Sequence, residues 1–90
     1  MRHHILFYEY VEDVLERRGP HREAHLAALR AEHDAGRLVM AGALGDPPHG
    51  AAIVFGDVGR EAIEAFLERD PYVAADVVRH WSIEPWNVVV

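Results

Sequence analysis

The sequence contains no cysteine, which excludes disulfides, Cys-ligated zinc, iron–sulfur clusters and thiol catalysis, and agrees with a reducing compartment. Positive charge is scarce too. The formal net charge is -6, and Arg17-Arg18 is the one cluster of basic residues. The electrostatic footprint of phosphate-backbone binding is therefore missing, and nucleic acid is not expected as a partner. No apolar run approaches the roughly 20 residues of a membrane helix. Met1-Arg2-His3-His4 leads straight into a strand pattern with no cleavable apolar region, so the expected location is the cytoplasm, with no membrane partner. No repeat, linker or low-complexity segment divides the chain, and one domain over residues 1–90 is expected.

What is present is the composition of a folded globule: 50% hydrophobic and 27% charged residues. At 90 residues a single core confers only marginal stability, which makes a partner subunit a serious expectation.

Residue periodicity gives the order β, α, β, β, α, a short α, then β. His3 to Tyr10 carries Ile5 and Phe7 on one side and Leu6, Tyr8 and Tyr10 on the other, a strand with two apolar faces. Val11 to Arg18 is charged and has no clear pattern. Gly19-Pro20 starts a helix that runs to about Ala35, with Gly36 as its stop. Leu38 to Leu44 and Ala51 to Gly56 form a hairpin around the turn-rich Gly45-Asp46-Pro47-Pro48-His49-Gly50. Gly59 to Arg69 is amphipathic, with Ala62, Ile63, Phe66 and Leu67 on one stripe. Asp70-Pro71 opens a short helix. Arg79 to Val90 is a final strand that alternates Trp81 and Ile83 against His80, Ser82 and Glu84.

This order is the ferredoxin-like βαββαβ arrangement of the α+β class: a four-stranded antiparallel sheet with both long helices on one face. The other face is left bare. Because the first strand is apolar on both sides, a second copy is expected to cover that face, giving a homodimer with two facing sheets.

The same topology sets the start of the first long helix beside the end of the second, which brings His25 and Asp70 to one end of the sheet. A histidine held by a carboxylate can move a proton near neutral pH. At about 100° per residue, His25 shares a stripe with Leu26 and Leu29 and with Arg22, Glu32 and His33. Ala24, Ala28, Ala31 and Ala35 form a second stripe, either exposed surface or a close helix contact. Asp70 before Pro71 also reads as an ordinary helix cap, and His25 taken alone as a satisfied histidine. His21 and His25 have the i, i+4 spacing of two metal ligands, but His21-Arg22-Glu23-Ala24-His25 places Glu23 differently from the glutamate of the zincin pattern; no metal is assigned. Trp81 and Trp86 read as core and interface residues.

Arg22-Glu23-Ala24-His25-Leu26, Gly36-Arg37-Leu38, Ala41-Gly42, Asp70-Pro71-Tyr72 and Ile83-Glu84-Pro85-Trp86 together resemble the ordered landmarks of the YciI-like (YCII-related) proteins, and the resemblance covers nearly the whole chain. It implies a dimeric α+β barrel with an active site around a histidine and an aspartate, matching His25 and Asp70. Some relatives of that family in catabolic clusters remove chloride from chlorinated hydroxyquinones, and similar barrels host isomerases and cofactor-independent oxygenases; the fold does not choose between them. One departure is Ala43, where the family commonly has proline.

Two functions follow as expectations. In the first, the chain is a small-molecule enzyme of lyase, isomerase or dehalogenase type. His25 is its general base or acid, Asp70 fixes the His25 tautomer, Arg22 meets an anionic group of the substrate and Tyr72 lines the pocket; no cofactor is expected. In the second, it is a non-catalytic metabolite-binding or accessory dimer, in which His25 and Asp70 only brace helix ends.

Overall fold

The computed structural model describes residues 2–90. Four strands, β1 (His3–Tyr10), β2 (Leu38–Leu44), β3 (Gly50–Gly56) and β4 (Val78–Trp86), form one sheet in the order β2-β3-β1-β4 with every neighbouring pair antiparallel. The helices are α1 (Val14–Arg17), α2 (Arg22–Asp34), α3 (Arg60–Arg69) and α4 (Pro71–Ala74). This is the expected ferredoxin-like fold.

Alternation along β1 decides which face carries the core. His4, Leu6, Tyr8 and Tyr10 are buried, whereas His3, Ile5 and Phe7 are half-buried and Glu9 is exposed. Leu6 sits opposite Ile53 on β3 and Ile83 on β4, so these three side chains line one face. There they join Ile63, Phe66 and Leu67 of α3. Phe55 meets Phe66 edge to face at 5.8 Å. Gly50 opposes Glu9, and a β-carbon at Gly50 would collide with the Tyr8 carbonyl, so only glycine lets β3 pass β1 at that point.

Several boundaries differ from the sequence reading, each for a local reason. The patternless Val11 to Arg18 stretch contains the one-turn helix α1, held by the burial of Val14 beneath the sheet's end. Gly19–His21 is a 3₁₀ turn, so α2 begins at Arg22 rather than at Pro20. Gly36 does stop α2, with φ of 82°. The last strand ends at Trp86 rather than Val90, because Trp86 pairs with His3 and β1 begins there.

The stripe on α2 is also corrected. His25 and Glu32 are buried and Leu26 and Leu29 are half-buried, but Arg22 and His33 are exposed. Ala24, Ala31 and Ala35 are exposed and only Ala28 packs on the core. The alanine stripe is therefore high-propensity surface.

Candidate active site

Pro71 disfavours helical backbone at Asp70, so α3 ends there and Asp70 takes φ -74° and ψ 118°. In that extended state its side chain folds forward, and Oδ1 accepts the Tyr72 N–H at 3.1 Å, capping α4. The cap is one of three bonds. The same carboxylate meets His25 Nδ1 at 2.6 Å through Oδ1 and accepts the Tyr8 hydroxyl at 2.5 Å through Oδ2. Asp70 is 1% exposed. A carboxylate this deep is tolerated only when both its oxygens are hydrogen-bonded, and three donors reach them.

These partners settle the histidine tautomer. An ionised carboxylate can only accept, so we assign a proton to Nδ1, which donates to Asp70; in the neutral imidazole this leaves the lone pair on Nε2. The Tyr72 ring lies parallel to the imidazole, centroids 3.7 Å apart with a 5° interplanar angle, and fixes the ring plane. Tyr10 in turn packs its edge against Tyr72 at 6.1 Å.

Two phenols beside this pair are held neutral. Burial, then the Asp70 charge and its hydrogen bond, push the Tyr8 hydroxyl far above the ordinary tyrosine range. Tyr10 is pushed up to about 12, chiefly by burial, with the nearby Arg18 and Arg22 opposing the rise.

His25 lines a cavity of about 180 Å³ between α2 and the sheet. Tyr10, Arg22, Leu29, Ala41, Ala43 and Tyr72 contribute to its walls. Of the four residues singled out from the sequence, His25 and Asp70 are in contact, Tyr72 stacks on His25 and caps onto Asp70, and Arg22 stands one turn before His25 at the cavity wall. Ala43, the departure from the family pattern, is part of that wall.

His21 lies half-buried in the 3₁₀ turn, and His25 already commits Nδ1 to Asp70. Among the described residues no group of three or more His, Cys, Asp or Glu side chains is placed to hold a metal ion. Buried Glu32 belongs to a separate cluster, in which Arg37 and Arg69 hold its carboxylate at 2.7 and 3.2 Å.

Sequence reasoning missed Tyr8, Tyr10 and Arg18 at this site. Both tyrosines alternate with Leu6 on the core-facing side of β1, where their rings read as plain packing. The available signal was the hydroxyl, because a buried phenol requires a partner or a ligand. Arg18 lay in the segment that had no readable pattern.

Comparison with known proteins places these features in a wider set. Residues 1–87 match the model of the YCII-related domain. The chain is 36% identical over 95 aligned positions to Protein YciI of Escherichia coli O6:H1, covering 96% of this chain and 97% of that protein, and equally to Protein YciI of Shigella flexneri. Among solved structures, 5-chloro-2-hydroxyhydroquinone dehydrochlorinase of Burkholderia phenoliruptrix AC1100, in complex with 2,5-dihydroxybenzoquinone, superposes with a TM-score of 0.79 at 18% identity, over 94% of this chain and 93% of that one. A protein of Agrobacterium tumefaciens superposes with a TM-score of 0.63 at 14% identity, over 99% and 94% of the two chains. No helix is long and apolar enough to cross a membrane among the described residues.

Proposed function

The chain belongs to the YCII-related domain family, and from that premise we propose that it is a small-molecule enzyme in which the His25–Asp70 pair transfers a proton. The observation that carries this reading is the 2.6 Å contact between His25 Nδ1 and the buried Asp70 carboxylate. It leaves Nε2 as the one basic nitrogen for a ligand in the adjoining cavity.

In this mechanism neutral His25 accepts a proton at Nε2 from an O–H or an acidified C–H of the substrate. Asp70 stabilises the imidazolium that forms, Tyr8 holds the second carboxylate oxygen in place, and Tyr72 keeps the ring from turning. The electron pair released on the substrate then expels a leaving group such as chloride, or it is reprotonated at another atom by the same imidazolium. The first course is an elimination and the second an isomerisation; both conserve electrons without an external oxidant or reductant. The superposition with a dehydrochlorinase supports the first as the reaction to try. Arg22 meets an anionic group of the substrate and Tyr72 supplies wall.

The reading also includes a homodimer formed across the uncovered sheet face and a cytoplasmic location, the latter supported by the absence of cysteine. The test is turnover of chlorinated hydroxyhydroquinones by the wild type and by His25→Gln. General acid–base catalysis contributes about 10² to 10⁴ in rate, and a loss in that range is the expected result. Turnover that survives His25→Gln unchanged would end this mechanism.

One observation favours a second reading. The Asp70 bond to the Tyr72 N–H is an ordinary cap that a catalytically silent protein also needs. In a metabolite-binding or accessory dimer, removing the Asp70 side chain costs stability through the cap and the His25 and Tyr8 bonds lost with it and leaves ligand chemistry untouched.

A further inference from the structure

The cavity wall carries two arginines and no carboxylate, in a chain of net charge -6. Arg18 and Arg22 both line it. Among the described residues Arg17, Arg37, Arg60, Arg69 and Arg79 each have an acidic partner within 4.0 Å, whereas Arg18 and Arg22 have none; the exposed Arg2 and Arg30 also lack one but stand away from this cavity. Two cations left without anions beside one small cavity indicate that the counter-charge comes from a ligand.

Tyr10 is the independent second observation. Its residue is 7% exposed and lines the same cavity, and among the described residues its hydroxyl has no hydrogen-bond partner. The ring is buried but the oxygen is not sealed in, so its O–H is available to whatever occupies the cavity. It is held in its neutral, donating form, and both arginines lie near enough to act on its charge. Three donors without protein acceptors thus converge on a space whose remaining polar atom is the acceptor Nε2 of His25.

We propose that Tyr10, Arg18 and Arg22 form an oxyanion-binding subsite, so that the substrate is a compact planar acid carrying a delocalised oxyanion, as a carboxylate or an acidic enol, apart from the atom that His25 deprotonates. This deepens the function proposed above and rests on it for the role of His25 alone; the subsite itself stands on the unpartnered donors. Arginine suits the task because its planar fork meets two oxygens of a delocalised anion at once. The negative charge that develops when His25 takes the proton spreads towards these donors, which favours the charged state over the neutral one.

The test is equilibrium binding of three probes of similar ring size: neutral hydroquinone, the carboxylate 2,5-dihydroxybenzoate and the acidic enol 2,5-dihydroxybenzoquinone. At least one acid binds tenfold or more tighter than hydroquinone, and which one does distinguishes a carboxylate from an enolate substrate. Arg18→Met and Arg22→Met each weaken that acid by about tenfold or more, the fold-change that charged hydrogen bonds of roughly 1.5–3 kcal/mol give at about 1.4 kcal/mol per tenfold, while hydroquinone is unaffected. Methionine keeps the apolar stem, and both arginines reach solvent, so both variants fold. Tyr10→Phe, which preserves the ring, weakens the acid further. His25→Gln retains the preference for the acid, whatever it does to turnover, which separates failure of the subsite from failure of the proton-transfer reading. Equal binding of hydroquinone and both acids, unchanged acid affinity in the two arginine variants, or loss of the preference in His25→Gln would each overturn the proposal.

Discussion

Tyr8 and Asp70 lie 62 residues apart in sequence, yet the tyrosine hydroxyl donates at 2.5 Å to the carboxylate oxygen that His25 leaves free. The bond ties the middle strand pair to the junction of α3 and α4 and gives the second oxygen of a buried charge its hydrogen bond. Tyr8→Phe keeps the ring and leaves that oxygen unsatisfied, which costs about 1 to 3 kcal/mol. Urea unfolding of the two proteins at neutral pH measures it; an unchanged midpoint would show that the bond contributes nothing.

The same burial makes stability fall in alkali. Tyr8 and Tyr10 are held protonated in the folded chain, while in the unfolded chain they ionise near pH 10. A raised folded-state value means that the stabilisation is complete below the unfolded value and is lost as pH climbs through the folded one. For Tyr10 the window is about pH 10 to about 12. Each such group steepens the loss by up to about 1.4 kcal/mol per pH unit. Tyr8→Phe and Tyr10→Phe therefore flatten the alkaline limb of a stability-against-pH curve, and a limb of unchanged slope contradicts the burial argument.

Acid acts on a different cluster. The hydrogen bond from Arg37 holds the Glu32 carboxyl below its usual range, against the opposing effect of burial, with the Arg37 and Arg69 charges adding. A depressed value gives stability that is present above about pH 4.5 and lost as pH falls through the folded value. Glu32→Gln is expected to destabilise by about 1 to 2 kcal/mol at neutral pH and to remove part of the acid dependence. Thermal melts between pH 3 and 7 test this, and parallel curves for the two proteins would refute it.

For His25 the observable is the tautomer. Two-bond ¹H–¹⁵N correlations of the neutral side chain show the proton on Nδ1 in the wild type, because Asp70 can only accept. In Asp70→Asn the amide can turn its NH₂ towards Nδ1 and stabilise the other tautomer, so population of the Nε2–H form rises and turnover falls by about 10² or more. If the Nδ1–H form persists unaltered in Asp70→Asn, the aspartate is not what sets it.

Much of this architecture was readable because the relevant signals are local. β1 and β2 were bounded as short apolar runs flanked by charged or turn-forming residues, and Gly36 and Asp70-Pro71 marked helix ends through backbone constraints that act within one or two residues. The meeting of His25 with Asp70 followed from topology, since alternating element directions put those two helix ends side by side. What escaped the sequence reading depends on three-dimensional surroundings. Tyr8 and Tyr10 look like core residues until the group opposite each hydroxyl is known. Helix α1 has too few residues for a period and exists because Val14 finds a buried place. Arg22 shares an ideal helical stripe with His25, but α2 lies at the cavity's edge, so its first turn projects into solvent.

The uncovered sheet face supplies the last prediction. It carries Ile5, Phe7, Met40, Val54 and Trp86, of which Met40 is 63% and Trp86 43% exposed. Apolar side chains from four adjacent strands on one flat surface gain free energy when removed from water, at about 25 cal/mol per Å², and an identical face on a second copy has the matching shape and chemistry. Sedimentation equilibrium at micromolar concentration is expected to return twice the chain mass for the wild type. Phe7→Glu places a charge in the centre of that face, on the side of β1 away from the core, and is expected to return a single chain mass with unchanged circular dichroism. His25 and Asp70 lie on the helix side of the sheet, so the Nδ1–H signature of His25 should survive in Phe7→Glu, which distinguishes a dissociated subunit from an unfolded one. A wild type that sediments as a monomer would leave this face without the partner argued for it.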